Sequence, residues 1–159
     1  MQQISSKRVL IWVAVGFALY ALFFYQLTGA GILSADEPRY ASIAREMARS
    51  GDWVTPRLWG SAWFEKPAFL YWATALGFRL GLNEDWAPRL PVAILSAVFL
   101  LLFWRRLREE FNPRVAWFAT VILGTSAQWI GYSHVSVPDV PMTAFFTLAV
   151  MLALPWMRG

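Results

Sequence analysis

Long apolar runs constrain this chain more than any other feature, because each run is long enough to need a lipid environment. The first covers about residues 9–27, and roughly 19 residues can cross a hydrocarbon core of about 30 Å. Three more apolar runs follow at about 87–104, 115–133 and 140–157. Charged residues make up 15% of the chain, whereas about 25% is usual in soluble domains. The sequence therefore predicts an integral membrane protein.

The first apolar run has a second interpretation as a cleavable signal peptide, because small residues occupy positions 28–30. The apolar part of a signal peptide has only about 7–15 residues, however, and this run is longer. We therefore expect a membrane span over about residues 9–29, preceded by the basic residues Lys7 and Arg8.

The orientation of the spans is indicated by the basic residues between them. Segment 67–82 is apolar but short, and such segments are more often interfacial or re-entrant than spanning. If it does not span, residues 7–8, the loop 105–114 and Arg158 all lie on one side of the membrane, as the positive-inside rule requires. Segment 30–89 carries seven basic residues on the other side, but long loops are weak evidence for orientation.

The predicted fold class is therefore all-α, as a polytopic membrane helix bundle that forms a single membrane domain over residues 1–159. It contains four transmembrane helices, plus juxtamembrane helices in the first external loop. The predicted spans are about 9–29, 87–104, 115–133 and 140–157, with the external loop at about 30–86.

One juxtamembrane helix can be predicted in detail near the start of this loop. Ser34 and Glu37 have the spacing of a capping box, which begins a helix by satisfying its free N–H groups. Gly51 is a suitable stop. Between them, apolar residues recur on one helical face, which favours an amphipathic helix at the membrane surface: these are Tyr40, Ile43 and Met47.

Several charged residues on the predicted external face have both a structural and a functional interpretation. Acidic side chains at Asp36 and Glu37 would favour the dipole of a helix that starts there. Asp139 would suit the N-cap of the last span, yet charges that border a span indicate function. Lys66 could extend to the interface or meet a lipid phosphate. Arg89 has the same two interpretations.

Composition excludes several kinds of site. The chain has no cysteine and one histidine, His134, so thiolate sites and multi-histidine metal sites are excluded. The net charge of +4 comes from basic residues beside apolar runs, which retention of loops at the cytoplasmic face explains. These residues form no patch with spaced base-reading side chains, so no nucleic-acid partner is expected.

Two motifs in the external loop, with a third between the last two spans, carry a family resemblance. In sequence order they are Asp36-Glu37-Pro38-Arg39-Tyr40, Trp63-Phe64-Glu65-Lys66-Pro67 and Pro138-Asp139-Val140-Pro141. Together they resemble the bacterial lipid A aminoarabinose transferases and their relatives, in the protein O-mannosyltransferase family of the GT-C superfamily. The resemblance covers roughly residues 8–157.

The resemblance implies an enzyme of a bacterial inner membrane with its active site on the extracytoplasmic face. Such enzymes move a glycosyl group from a polyprenyl-phosphate donor to a lipid, glycan or protein acceptor. Membrane lipids surround the enzyme and are a further expected partner. By position, the catalytic residues would be Asp36, Glu37 and Asp139. The motif around Lys66, Glu65 and Arg39 would meet the donor phosphate.

The implied chemistry suits these residue types, because a sugar phosphate is already an activated donor. The reaction needs a base for the acceptor proton and a cation at the departing phosphate. No cofactor is required, and no ligand cluster demands a metal, although a divalent cation beside the carboxylates is compatible with the sequence.

Members of this family are several times longer than this chain. We therefore expect the chain to be the amino-terminal part of such an enzyme: a fragment, a truncated reading frame, or a half that requires the missing carboxy-terminal part as its partner. The alternative is a non-catalytic membrane module that binds a lipid carrier or scaffolds a complex. A transporter component is disfavoured, since the spans lack clear ionisable residues at mid-depth.

Overall fold

The computed structural model describes residues 6–29, 31 and 36–157, and most of them are helical. A small hairpin of two-residue strands lies in the predicted external loop, with Arg57 paired to Ala62 in antiparallel register. This mostly helical architecture agrees with the predicted fold class. In chain order the elements are α1 (Ser6–Phe23), α2 (Asp36–Ser50), β1 (Arg57–Leu58), β2 (Ser61–Ala62), α3 (Phe69–Arg79), α4 (Trp86–Glu110), α5 (Pro113–Gly124), α6 (Ala127–Ser133) and α7 (Asp139–Met157).

Helix α4 is the centre of the bundle, because it packs against each of the other described helices. Its buried face includes the small residues Ala93, Ser96 and Ala97. Small side chains let neighbouring backbones approach closely, which is how helices associate in a membrane without a hydrophobic driving force between them. Helices α2 and α3 pack together beside one end of α4.

Two of the described helices, α4 and α7, are long and apolar enough to cross a membrane by length and composition. Helix α1 is shorter than the predicted span 9–29, because its last helical residue is Phe23 and turns follow to Gly29. Helix α3 has 11 residues and so spans about 16 Å. That length is too short to cross the bilayer, which supports the interpretation of 67–82 as a non-spanning segment.

The predicted span 115–133 consists of two helices, α5 and α6, instead of one. Hydroxyl groups end the first helix and begin the second. Thr125 Oγ1 donates to the carbonyl oxygen of Val121 at 2.7 Å, and Ser126 Oγ accepts from the backbone N–H of Trp129 at 3.3 Å. Apolar content predicted one continuous span because it does not register these side-chain hydrogen bonds to the backbone.

The amphipathic helix predicted in the external loop is present as α2. Its apolar residues Tyr40, Ile43 and Met47 are buried, and Gly51 follows its last residue with φ +76°. Glycine adopts this left-handed conformation without the steric cost of a side chain. The predicted cap Ser34 lies outside the described residues, as does Arg158.

The closest approach of α3 to α4 is at Gly77. A Cβ atom there would lie 3.1 Å from both the Cα and the carbonyl oxygen of Ala87, and backbone atoms cannot move aside as a flexible side chain does. We expect Gly77→Val to destabilise the protein by about 1–3 kcal/mol through overpacking. This should appear as a lower midpoint of heat unfolding in detergent.

Gly16→Val is the matched control, because nothing lies within 4 Å of the corresponding Cβ position in α1. Equal unfolding midpoints for the two variants would contradict the close packing of α3 on α4.

Candidate functional site

The first two sequence motifs meet through Arg39, which lies one turn into α2. Its guanidinium group is 3.5 Å from Asp36 Oδ1 and 3.5 Å from Glu65 Oε2. It also lies 5.9 Å from the centre of the Trp63 ring. Arg39 therefore lies between the beginning of α2 and the segment after the hairpin.

Lys66 extends this set of charges toward α7. Its Nζ is 3.4 Å from Glu65 Oε1, and both side chains are partly exposed. The side chain of Asp36 is 54% exposed. Ion pairs this long and this exposed contribute little to stability. Two carboxylates and two cations thus remain available to a ligand. We name these four residues, Asp36, Arg39, Glu65 and Lys66, the charged row.

Two tyrosines lie beneath the charged row, with ring centres 6.0 Å apart. Burial raises the pKa of Tyr40, and the nearby Asp36 carboxylate raises it further. Burial also raises the pKa of Tyr71, to about 12. Both phenols therefore stay protonated near neutral pH. Tyr71 is almost completely buried.

Lys66 and Asp139 line the same groove, although they are distant in sequence. Its volume is about 440 Å³, and its other lining residues are apolar. Phe69 and Phe145, from α3 and α7, meet there edge to face with ring centres 4.9 Å apart. An apolar groove with one cation and one carboxylate suits an amphiphile that has a phosphate group. We name it the Lys66–Asp139 groove.

Asp139 is the first residue of α7 and is exposed. A carboxylate in the first helical turn is stabilised by the helix dipole, which explains its position without a ligand. Asp139 also lines the Lys66–Asp139 groove, so it can contact a ligand bound there. Asp36 lies outside the groove lining and is connected to it through the charged row.

Glu37 differs from its neighbour Asp36, because its side chain is completely buried. Its two carboxylate oxygens accept from Nε and Nη2 of Arg89 at 2.7 and 2.9 Å. The Arg89 side chain is only 2% exposed. Bidentate pairing of this kind fixes the direction of both side chains as well as their distance.

Three backbone groups from two further segments join this buried ion pair. The backbone N–H of Ser136 donates to Glu37 Oε1 at 3.0 Å. Arg89 donates to the carbonyl oxygens of Leu27 and Gly31 at 3.1 and 2.8 Å. The Glu37–Arg89 pair therefore connects the chain after α1, the beginnings of α2 and α4, and the loop before α7.

From the sequence alone, Arg89 could either extend to the membrane interface or bind a phosphate. The structure shows instead that it forms a buried ion pair with Glu37. The available signal was an arginine near the start of an otherwise apolar span, where an isolated charge would be costly. Its partner could not be identified, because Glu37 is 52 residues away and several other acidic residues share the same loop.

Metal ligation receives no support from the geometry of the described residues. Within 6–29, 31 and 36–157, no three histidine, aspartate or glutamate side chains are grouped so that they could hold a metal ion.

Comparison with known proteins gives a consistent result. The family model described as dolichyl-phosphate-mannose-protein mannosyltransferase matches residues 65–157. The undecaprenyl phosphate-alpha-4-amino-4-deoxy-L-arabinose arabinosyl transferase of Edwardsiella ictaluri is 38% identical over 148 residues, which are 91% of this chain and 26% of that protein. The protein of the same name from Pectobacterium atrosepticum is 35% identical over 87% of this chain and 25% of its own length.

Solved structures show the same similarity. A crystal structure of ArnT from Cupriavidus metallidurans bound to undecaprenyl phosphate matches with a TM-score of 0.82 and 32% identity. The match covers 94% of this chain and 27% of that chain. The apo crystal structure of the same protein matches with a TM-score of 0.81. This chain thus spans about a quarter of the length of the relatives it matches.

Removal of one partner of the Glu37–Arg89 pair should destabilise the protein strongly. Arg89→Met leaves a buried carboxylate without its cation, which typically costs about 3–5 kcal/mol. We expect a much lower midpoint of heat unfolding in detergent.

Arg105→Met is the control, since Arg105 pairs with Glu109 on the exposed surface. This variant should unfold at the same temperature as the unaltered protein. If both variants unfolded at the same temperature, the buried pair would not be the main connection between these segments.

Proposed function

This chain belongs to the dolichyl-phosphate-mannose-protein mannosyltransferase family, and from that premise we propose that it forms part of a glycosyltransferase. The enzyme takes a sugar from a polyprenyl-phosphate donor and transfers it to a lipid A, glycan or protein acceptor. The reaction takes place at the extracytoplasmic face of a bacterial inner membrane. Two relatives named for transfer of a sugar from undecaprenyl phosphate support this proposal.

The Lys66–Asp139 groove is the observation that carries the proposal. A polyprenyl phosphate is an apolar chain with an anionic head, and the groove combines apolar side chains with an ammonium group. Lys66 attracts the phosphate as a point charge, and Arg39 adds a second cation close by. Glu65 lies between the two cations, at 3.5 Å from Arg39 and 3.4 Å from Lys66.

Asp36 has the chemical type and exposure of a general base. In the proposed step the acceptor hydroxyl oxygen attacks the anomeric carbon and gives its proton to the Asp36 carboxylate. The bond from that carbon to the phosphate oxygen breaks, and the polyprenyl phosphate leaves with the electron pair. Direct displacement inverts the configuration at the anomeric carbon, and the step balances without a cofactor.

We assign Glu37 a positioning role instead of direct contact with substrate. Its carboxylate is occupied by Arg89 and the Ser136 N–H inside the protein. It thereby fixes the adjacent Asp36 and also the loop that leads to Asp139. In this proposal Asp139 contacts the bound donor, because it lines the same groove as Lys66.

We further propose four crossings of the membrane, by α1, α4, the α5–α6 pair and α7. Helix α4 starts at the buried ion pair, and α7 starts three residues beyond Ser136, so both begin at the same end of the bundle. The basic residues of segment 105–114, at the end of α4 and the start of α5, then lie at the opposite end, where the positive-inside rule assigns basic residues to the cytoplasm.

The proposal predicts different kinetic defects at two positions of the charged row. Loss of a positioned base in Asp36→Asn should lower kcat by about 10²–10⁴-fold. Lys66→Gln should raise the KM for the donor, because it removes a cation at the phosphate. The measurement is the transfer of radiolabelled sugar from undecaprenyl phosphate. The sample is a membrane preparation that contains the protein to which this chain belongs.

Glu84→Gln is the matched control, since Glu84 is an exposed carboxylate that pairs with Arg45 outside the groove. It should transfer sugar at the unaltered rate. Full activity of Asp36→Asn would remove Asp36 from the mechanism. Binding of the carrier lipid without transfer by any form would instead favour a lipid-binding module.

A further inference from the structure

Asp139 lines two cavities of different character, and the second is not used by the proposed phosphate site. The first is the Lys66–Asp139 groove. The second has a volume of about 280 Å³, and we name it the polar pocket. Its lining residues come from the ends of α5 and α7 and from α6: Leu123, Ser126, Gln128, Trp129, Tyr132, Asp139, Val140 and Thr143.

We propose that the polar pocket binds the sugar ring of the polyprenyl-phosphate donor. This inference rests on the proposed function and extends it to the part of the donor that is transferred. A glycosylated carrier has an apolar tail, a phosphate and a polyhydroxylated ring, in that order. The groove matches the first two parts, and the polar pocket shares the lining residue Asp139 with it.

The lining chemistry of the polar pocket matches a ring with several hydroxyl groups. Gln128, Tyr132 and Thr143 are exposed there. Amide and hydroxyl groups both donate and accept, as sugar hydroxyls require. Within the described residues, none of these three side chains makes a hydrogen bond to the protein. They remain available to a ligand.

Trp129 provides an independent observation. The residue lines the polar pocket, is 6% exposed, and packs beside Phe99 with the rings tilted and their centres 5.0 Å apart. Its indole Nε1 is buried and has no acceptor within the described residues. A buried N–H without an acceptor calls for an explanation, and of the three such indoles among the described residues (Trp63, Trp104 and Trp129) only that of Trp129 belongs to a residue that lines the polar pocket. A hydroxyl oxygen of a bound sugar would supply the acceptor.

The polar pocket exists because the chain is interrupted between α5 and α6. Helix α6 packs against both α5 and α7, and the pocket lies where the ends of the three helices meet. Gly124, the last residue of α5, lies against Leu100 of α4, where a Cβ atom would be 2.8 Å from Leu100 Cδ1. This packing brings the end of α5 close to the central helix beside the pocket.

In this proposal Asp139 connects the two ligand parts, because the residue lines both cavities. The anomeric carbon is bonded to the phosphate oxygen, so it must lie between the phosphate position at Lys66 and the sugar position. Asp139 can accept a hydrogen bond from a ring hydroxyl at that boundary. This placement keeps the reacting carbon between the groove and the polar pocket.

The test compares the affinities of two lipids for the purified protein that carries this chain. One lipid is undecaprenyl phosphate, and the other is undecaprenyl phosphate with its sugar attached. Gln128→Leu and Tyr132→Phe should raise the Kd of the glycosylated lipid by about tenfold, as expected for loss of one good hydrogen bond. The Kd of the unglycosylated lipid should stay unchanged.

Two further variants calibrate the comparison. Lys66→Gln should raise the Kd of both lipids, because both carry the phosphate. Tyr25→Phe removes an exposed phenol from the turns after α1 and should change neither. The unfolding midpoint of each variant verifies that it is folded.

Three results would overturn the assignment of the polar pocket. Equal weakening of both lipids would make the pocket a part of the phosphate or tail site. No weakening of either would show that it does not contact the donor. A changed KM for the acceptor alone would assign the pocket to the acceptor. By contrast, an unaltered protein that binds neither lipid would refute the proposed function itself.

Discussion

The arrangement of this protein depends on one buried ion pair, between Glu37 and Arg89. A charge enclosed in an apolar bundle is tolerated only when it is paired and hydrogen-bonded. Here each partner satisfies the other, and backbone groups at Leu27, Gly31 and Ser136 complete the network. Segments that are up to 99 residues apart in sequence are thereby held at one end of the bundle.

Because of this ion pair, the two adjacent acidic residues Asp36 and Glu37 have different roles. Glu37 points inward and holds the structure together, so Asp36 can point outward and remain exposed without losing its position. The same hydrogen bond to Ser136 fixes the loop that leads to Asp139. In the proposed enzyme, rigid support of the base and of the groove is what places the reacting groups at productive distances.

Much of the fold followed from the sequence, because apolar runs and helical periodicity report burial directly. The helix after Asp36, its buried face and its end at Gly51 were predicted correctly. The break at Thr125 was not, since it depends on side-chain hydrogen bonds inside an apolar run. Motif resemblance identified the exposed charged residues, but the pairing of Arg89 and the polar pocket around Trp129 arise only from three-dimensional packing.

The central claim is that Asp36, Lys66 and Asp139 form one site on the external face of the membrane. Single-cysteine variants Asp36→Cys, Lys66→Cys and Asp139→Cys, in a cysteine-free background, test it in sealed cells with a membrane-impermeant maleimide. We expect all three to be labelled from outside, and a cysteine at Arg108 to be labelled only after the membrane is opened. A protected cysteine at any of the three site positions would contradict the account.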